Sequence, residues 1–554
     1  MNRTKKVLII AANGFANLFN PSTCDKRIMH TIGEAFTPLE LEGNRFWDLS
    51  SLKAYLLNKR GLAVQNSKRP YDDPTQSTNL NGIILFTHLL RAGFEPLLVN
   101  DFGADIEVVN EALEGDLLAI GISTTFLPFK EHLAPVVSYL RQRRPDVPIV
   151  AGGPMVALSY ALYTEPDPVY DVESLKRLYL FFDNDDHVDY YVVDRRGEKT
   201  FLKLLHALYA KNPPGDVKNI ACRTGQGSLF FTPVEAEITD VSDEIIDWDR
   251  IPDHLLKHNV SLRASTGCPF KCEFCNFHFY APQPMHKPLE LIAAELKQLA
   301  RRRQVKHFAF VDDNFLISPA KVESFCKTLS AMGTPATWSS FIRSDSITKD
   351  NIEAIADSGA FLLNLGVESG DPGVLSNMNK KSRTGHVIEV INHLGRLGVP
   401  TVSSIVVGFP GETHETVGNT IEFLNDYHTY GDCLHWYSPF VFMMLPKVRV
   451  EREREKYGLE GFMLKWKHNT MDAYGAAHEL KRIMLETEGA VFPRSLEYPY
   501  APAILGINPA DSAKVIRLID KHIKNQVLAG DTGDPEFVRK NAEIAGLIEG
   551  TICR

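Results

Sequence analysis

Cysteine is scarce in this chain, with 8 in 554 residues, and five of those (Cys24, Cys222, Cys326, Cys433 and Cys553) lie scattered. That usage argues against a disulfide framework and reads as a reducing, cytoplasmic setting. Long apolar runs are missing too, so no segment reads as a membrane span. The opening Met1–Lys6 and the run Val7–Ala12 mimic a signal peptide, but the run is too short and Asn13-Gly14 ends it. It reads instead as a buried first strand. Positive charge is not in excess either. A net charge of -9 offers no basic surface and gives no sign of nucleic acid as a partner. The remaining composition, 44% hydrophobic and 23% charged, is that of an ordinary soluble globular protein. The length allows about three to four domains.

Against that scarcity, three cysteines stand together in Ser265-Thr266-Gly267-Cys268-Pro269-Phe270-Lys271-Cys272-Glu273-Phe274-Cys275. Gaps of three and two residues put Cys268, Cys272 and Cys275 on one tight loop. A cubane iron–sulfur cluster takes four ligands, usually all cysteine. With no fourth cysteine nearby, one iron would stay open to a reactant, which points to an enzyme. Zinc is the alternative, with His278 closing the tetrahedron of a structural binding module.

Upstream, short apolar runs alternate with amphipathic stretches. Val7–Ala12, Glu95–Asp101, Leu117–Ser123, Val147–Pro154 and Val188–Val193 read as strands. Gly82–Ala92, Ile106–Glu114, Lys130–Arg144 and Lys199–Ala210 read as helices. This order predicts a doubly wound parallel sheet over residues 1–210. Ligands bind such sheets at the carboxyl ends of the strands, where Ser123, Thr124 and Thr125 and the pair Gly152-Gly153 fall. The segment from Phe15 to Asn79 is far longer than the usual connection of about 2–6 residues. It carries Phe46-Trp47 and a helix near Leu49–Lys59, and is expected to form a lid over that edge.

Residues 211–257 read as a linker with one short sheet-like stretch, Ser228–Thr232, and an acidic run over Pro233–Asp253. A second alternation then covers 258–441. Its strands are Ser261–Ser265, His307–Val311, Thr337–Ile342, Phe361–Gly366, Val402–Gly408 and Leu434–Val441. Its helices are Leu289–Arg302, Pro319–Met332, Lys349–Ser358, Gly385–Leu397 and Glu415–Tyr427. Six such units predict an open, partial parallel barrel with its chemistry at the strand ends. Residues 442–554 read as mostly helical, and the charge run Val448–Lys456 as a solvated helix. Trp436, Tyr437, Trp466 and His468 are candidates for a substrate wall, although aromatic side chains mostly serve to bury area.

The strand ends carry the stretches Asp312-Asp313-Asn314-Phe315, Ser339–Arg343, Gly366-Val367-Glu368-Ser369-Gly370 and Gly408-Phe409-Pro410-Gly411-Glu412-Thr413. Together with the cysteine loop, and over roughly 258–441, they closely resemble the radical S-adenosylmethionine superfamily. The resemblance implies a 4Fe–4S cluster on the three cysteines and S-adenosylmethionine chelating the open iron. An electron from a donor such as flavodoxin or ferredoxin then cleaves the sulfonium bond and releases a 5'-deoxyadenosyl radical. By position, Arg343 would pair with the cofactor carboxylate, a geometry its guanidinium favours. Asp312 or Asp313 would accept from the amine, and Ser340 lies in the same ring of strand ends. Glu368 would accept from the ribose, Gly408 would leave room for the adenosyl group, and backbone near Phe277 would meet the adenine. Two bland readings accompany these: Arg343 pairing with Asp345, and Glu412 capping the next helix.

The first sheet, with its Ala151-Gly152-Gly153-Pro154 end and Arg196–Phe201, resembles the cobalamin-binding, flavodoxin-type domain attached to many members of that superfamily. Ser123, Thr124, Gly152 and Gly153 would then face cobalamin. An Asp-x-His-x-x-Gly loop is absent, compatible with a cofactor held without histidine ligation. The resemblance implies a methyltransferase acting on unactivated carbon or phosphorus of a small organic substrate. A non-methylating radical cyclisation, ring contraction or oxidation is the alternative.

Overall fold

The structure is a computed structural model that describes residues 4–14, 22–61, 74–183, 187–223, 228–237, 244–532 and 534–553. Parts of the long 15–79 insertion, and Asp240 and Asp243 of the acidic run, fall outside the described residues. The chain divides into two compact units. The first comprises 1–22, 77–261 and 285–302; the second comprises 23–76, 262–284 and 303–554.

The first unit is built on strands β1 (Lys6–Ile10), β2 (Glu95–Val99), β3 (Ala119–Ser123), β4 (Ile149–Gly152), β5 (Tyr190–Val192), β6 (Ile220–Arg223) and β7 (Leu229–Phe231). They lie in the order β7-β6-β5-β4-β3-β1-β2. The parallel part, read from β2, runs 2-1-3-4-5, the flavodoxin order, whose switch point lies between the first and third strands. Apolar runs make these strands because both faces are covered. Leu8, Ile10, Ile120, Ile122, Ile149 and Ala151 are fully buried in one cluster with Val109, Leu133, Val136 and Leu140 from the flanking helices.

Two features go beyond the sequence reading. The sheet-like stretch in the linker pairs antiparallel with β6, which pairs antiparallel with β5, so both extend the sheet. Helices Pro154–Thr164 and Val172–Leu178 fill the β4–β5 connection. The helix Leu289–Ala300, counted by sequence with the barrel, groups with the first unit. Its Glu295 accepts from the Ile246 amide at 2.7 Å and from Lys287 at 3.0 Å, a fully buried ion pair.

The second unit holds β8 (His307–Phe310), β9 (Thr337–Ile342), β10 (Ala360–Glu368), β11 (Thr401–Val407) and β12 (Trp436–Val441). All four neighbouring pairs among them are parallel. The chain enters this unit at Leu262, the last residue of the strand Asn259–Leu262, whose carbonyl accepts from Val311 at 2.9 Å. Strand ends and intervening helices follow the sequence reading to within a few residues. An open parallel barrel segment with a largely helical carboxyl-terminal region results.

The described part of the inserted segment from residue 23 to residue 76 groups with the second unit. Its helices Lys26–Ala35 and Leu49–Lys59 and its hairpin Leu39–Leu41/Asn44–Phe46 belong to the second unit. Leu39, Leu41, Leu49, Leu52 and Leu56 join one core with Ile516, Ile519, Ile523 and Ile548 from the last two helices. An amphipathic insertion must bury its apolar stripe somewhere, and here the helical carboxyl-terminal region supplies the partner face. Among the described residues, no helix is long and apolar enough to cross a membrane.

Candidate functional site

The cysteine loop is held from two sides within the second unit. Asn379 Nδ2 donates to the Lys271 carbonyl at 2.8 Å, and the Glu273 amide donates to the Met378 carbonyl at 2.9 Å. From the other side the Val450 amide donates to the Glu273 carbonyl at 2.9 Å. The charge run read as a solvated helix is thus two short pieces, Arg449–Glu453 and Arg454–Tyr457, with Val450 buried against the loop. Its acidic and basic residues alone hid that buried position.

Cys268, Cys272 and Cys275 are free and partly buried. Burial pushes all three thiols up, Cys275 to about 12, while Lys380 and Arg343 pull Cys272 back down. As thiols they sit in a poor environment for charge, and iron binding would remove their protons. Phe274 stands edge-on to Phe409, with ring centroids 6.5 Å apart, adding apolar cover to the loop. His278 turns its Nδ1 to the Cys275 carbonyl at 3.0 Å. Phe277 is 53% exposed, and its amide donates to Cys275 Sγ at 3.4 Å.

Several expected cofactor contacts are spent inside the protein. Asp312 is buried and accepts from the Ala264 amide, the Ser265 amide and the Ser265 hydroxyl, the last at 2.6 Å. Burial raises its pKa to about 6. It therefore staples the start of the cysteine loop. Asp313 accepts from the Gly267 amide at 2.7 Å. Arg343 lies over the Phe270 ring at 3.9 Å and donates to Asp345 at 2.6 Å, as the bland reading anticipated.

Glu368 is buried and pairs with Lys380 at 2.9 Å, both side chains under one-tenth exposed. It holds φ 73 at a register shift between β10 and β11, where Gly366 gives room for the pair. The Lys380 ammonium donates to one oxygen of this carboxylate. Lys380 escaped the sequence reading because it lies a helix beyond the strand end, with no motif spacing to mark it.

Gly408 has φ 86, and a Cβ there would come within 2.5 Å of Ala476 Cβ and 2.7 Å of the Trp466 ring. The glycine makes room for that packing. Trp466 in turn donates to the Phe442 carbonyl at 2.6 Å and stacks on His468 at 5.0 Å. Trp436, Tyr437 and Trp466 are core residues, each no more than 3% exposed. Glu412 accepts from the Gly408 amide and does not cap the following helix, a role taken by Thr413.

Two polar groups at the same strand ends remain unspent. The hydroxyl of Ser340 and both amide atoms of Asn314 are buried without hydrogen-bond partners. The Phe315 amide donates to the Phe341 carbonyl at 2.9 Å, bringing their two segments together. A buried polar group left unsatisfied costs about 1–3 kcal/mol. Asn314 was legible as part of the Asp-Asp-Asn-Phe stretch, but its neighbouring carboxylates drew the assignment.

In the first unit, Asn81 bridges the switch point. Its Nδ2 donates to the Ala11 carbonyl at 2.8 Å and to Ser123 Oγ at 2.9 Å, while its Oδ1 stays buried without a partner. Ser123 and Thr125 hydroxyls are 3.0 Å apart, and Thr124 donates to the Gly152 carbonyl at 3.0 Å. Gly153, with φ 109, turns the chain into the next helix beside Thr124. Ser123, Thr124, Gly152 and Gly153 therefore gather at one sheet edge, as expected.

Residues 262–424 match the model of the Radical SAM superfamily. An uncharacterized methyltransferase of Pyrococcus horikoshii is 23% identical over 326 residues, covering 58% of this chain and 66% of its own length. The match thus spans just under two thirds of that relative. TsrM of Kitasatospora setae, a radical S-adenosylmethionine methyltransferase solved with cobalamin and a 4Fe–4S cluster, shares the fold. The likeness covers 95% of this chain and all of TsrM, at 13% identity and TM-score 0.55. OxsB, a cobalamin-dependent S-adenosylmethionine radical enzyme solved with aqua-cobalamin, matches all of this chain and 80% of its own at 12% identity and TM-score 0.56.

Proposed function

We propose that the chain is a cobalamin-dependent radical S-adenosylmethionine methyltransferase acting on a small organic substrate. The observation that carries this is the pairing, in one chain, of the three-cysteine loop with a flavodoxin-ordered sheet whose switch point holds an unsatisfied acceptor. TsrM, solved with cobalamin and a 4Fe–4S cluster, and OxsB, solved with aqua-cobalamin, share the fold of this chain.

Cys268, Cys272 and Cys275 would hold the cluster, and the unpartnered Ser340 and Asn314 fit the polar part of S-adenosylmethionine. Arg343 and Lys380 place positive charge beside Cys272, offsetting the negative charge that three thiolates would bring. Phe274 and Phe409 exclude water on one flank. Asn81, Ser123, Thr124 and the Gly152-Gly153 turn fit a large polar cofactor approaching the first sheet closely. When bound, the cluster and S-adenosylmethionine supply radical chemistry, and cobalamin supplies a transferable methyl group.

The test is anaerobic reconstitution with iron, sulfide and cobalamin. The reading expects a brown protein that keeps both cofactors through gel filtration. Cys268→Ala, Cys272→Ala and Cys275→Ala should each bleach the cluster and spare cobalamin. A colourless protein that retains zinc would end the reading. A protein that keeps the cluster but never cobalamin would leave only the non-methylating radical enzyme.

A further inference from the structure

Through the middle of β9 to β12 buried residues alternate with open ones, because successive side chains of a strand point to opposite faces. Near the strand starts, Leu362 and Val402 of the open face pack against the core of the carboxyl-terminal helices. Further along, Ser404 and Ser438 stand side by side in register, and neither hydroxyl has a hydrogen-bond partner among the described residues. Phe341 lies beside Asn364 on the same face. It is 51% exposed, and Phe440, two residues beyond Ser438, is 40% exposed. Charge is missing from this surface. Among the described strands β8 to β12, Glu368 is the one Asp, Glu, Lys or Arg, and Lys380 meets it at 2.9 Å. Two open phenyl rings and two unpaired hydroxyls on an uncharged face suit flat apolar area with a few neutral hydrogen-bonding groups. An ionic ligand would give up hydration here with nothing to replace it.

We propose that the substrate is a neutral, planar aromatic-ring compound bearing hydroxyl, carbonyl or amide groups, and that this face selects it. The inference rests on the methyltransferase reading above and names its substrate class. Phe341 and Phe440 supply contact area, while Ser404, Ser438 and Asn364 fix the orientation of the ring through its polar groups. Along β9 and β10 the face leads to Arg343 and Glu368, and Arg343 lies over Phe270 of the cysteine loop at 3.9 Å. Amino acids and phosphorus acids, which are ionic at neutral pH, fall outside this class.

The experiment uses the full chain, reconstituted anaerobically, and follows probe fluorescence at neutral pH without turnover. The probes are 2-naphthol, its anionic counterpart 2-naphthoate, its cationic counterpart 2-(aminomethyl)naphthalene, and naphthalene itself. Neutral 2-naphthol should bind about tenfold or more tightly than either ion. Phe341→Ala/Phe440→Ala should weaken it about tenfold, and the melting temperature should hold because both rings are exposed. Ser404→Ala/Ser438→Ala should weaken 2-naphthol about three- to tenfold and leave naphthalene unchanged. Absent binding of 2-naphthol, equal or tighter binding of a charged probe, or indifference to the phenylalanine substitutions would overturn the proposal. Cluster and cobalamin content are measured on the same samples. A wild type that keeps both cofactors but shows no neutral preference overturns this proposal alone. A wild type that holds neither cofactor removes it through the reading on which it rests.

Discussion

Two buried carboxylates show how differently one residue type is used around the strand ends. Glu368 pairs with Lys380, and removing one partner of a buried pair strands the other charge. Lys380→Met should destabilise the fold by about 3–5 kcal/mol in denaturant titration. Adding Glu368→Gln should recover a large part of that loss, since the two residues are directly coupled. Full additivity would mean the pair does not interact. Among the described residues Glu412 has no cation partner, and burial raises its pKa to about 8, well above the ordinary carboxylate range near 4.5. The folded state therefore holds a proton that the unfolded chain releases. That contribution to stability is complete below about 4.5 and is lost as pH rises through about 8. Glu412→Gln should keep an acceptor for the Gly408 amide and flatten the stability profile between those values. An unaltered slope would show that other groups set it.

At the scale of elements, the strands and helices were legible because burial on both faces makes apolar runs, and amphipathic helices must separate them. Cys268, Cys272 and Cys275 were legible for a related reason, since ligand spacing on one loop is a local property. The roles of Asp312, Glu368 and Gly408 were not. Each sits where the resemblance put it, but its partner lies on a different segment: Ala264 and Ser265, Lys380, and Ala476 with Trp466. Nothing in strand-end spacing encodes those partners. The same holds for the insertion, whose apolar stripe is visible in sequence although the face that covers it is not. Gly408 also yields a prediction. Its φ of 86 and the 2.5 Å approach to Ala476 mean that Gly408→Ala should cost about 1–3 kcal/mol. The cost should appear as a lower melting temperature even in protein lacking every cofactor. A neutral substitution there would mean that the packing yields to the added methyl group.

The whole molecule divides into two compact units. Gly153→Ala would strain a backbone at φ 109 and press on Thr124 Oγ1 at 3.0 Å. It should weaken cobalamin retention, seen as lost corrin absorbance after gel filtration, while iron content stays at the wild-type level. Joint loss of both cofactors would point to global unfolding instead. The central claim is that radical generation and methyl transfer occur on this one chain. It is tested most directly by product analysis in an anaerobic reaction containing S-adenosylmethionine, methylcobalamin, reductant and candidate small substrates. The account predicts 5'-deoxyadenosine together with S-adenosylhomocysteine, both abolished by Cys272→Ala. Formation of neither product by a fully reconstituted protein, or equal formation by Cys272→Ala, would contradict it.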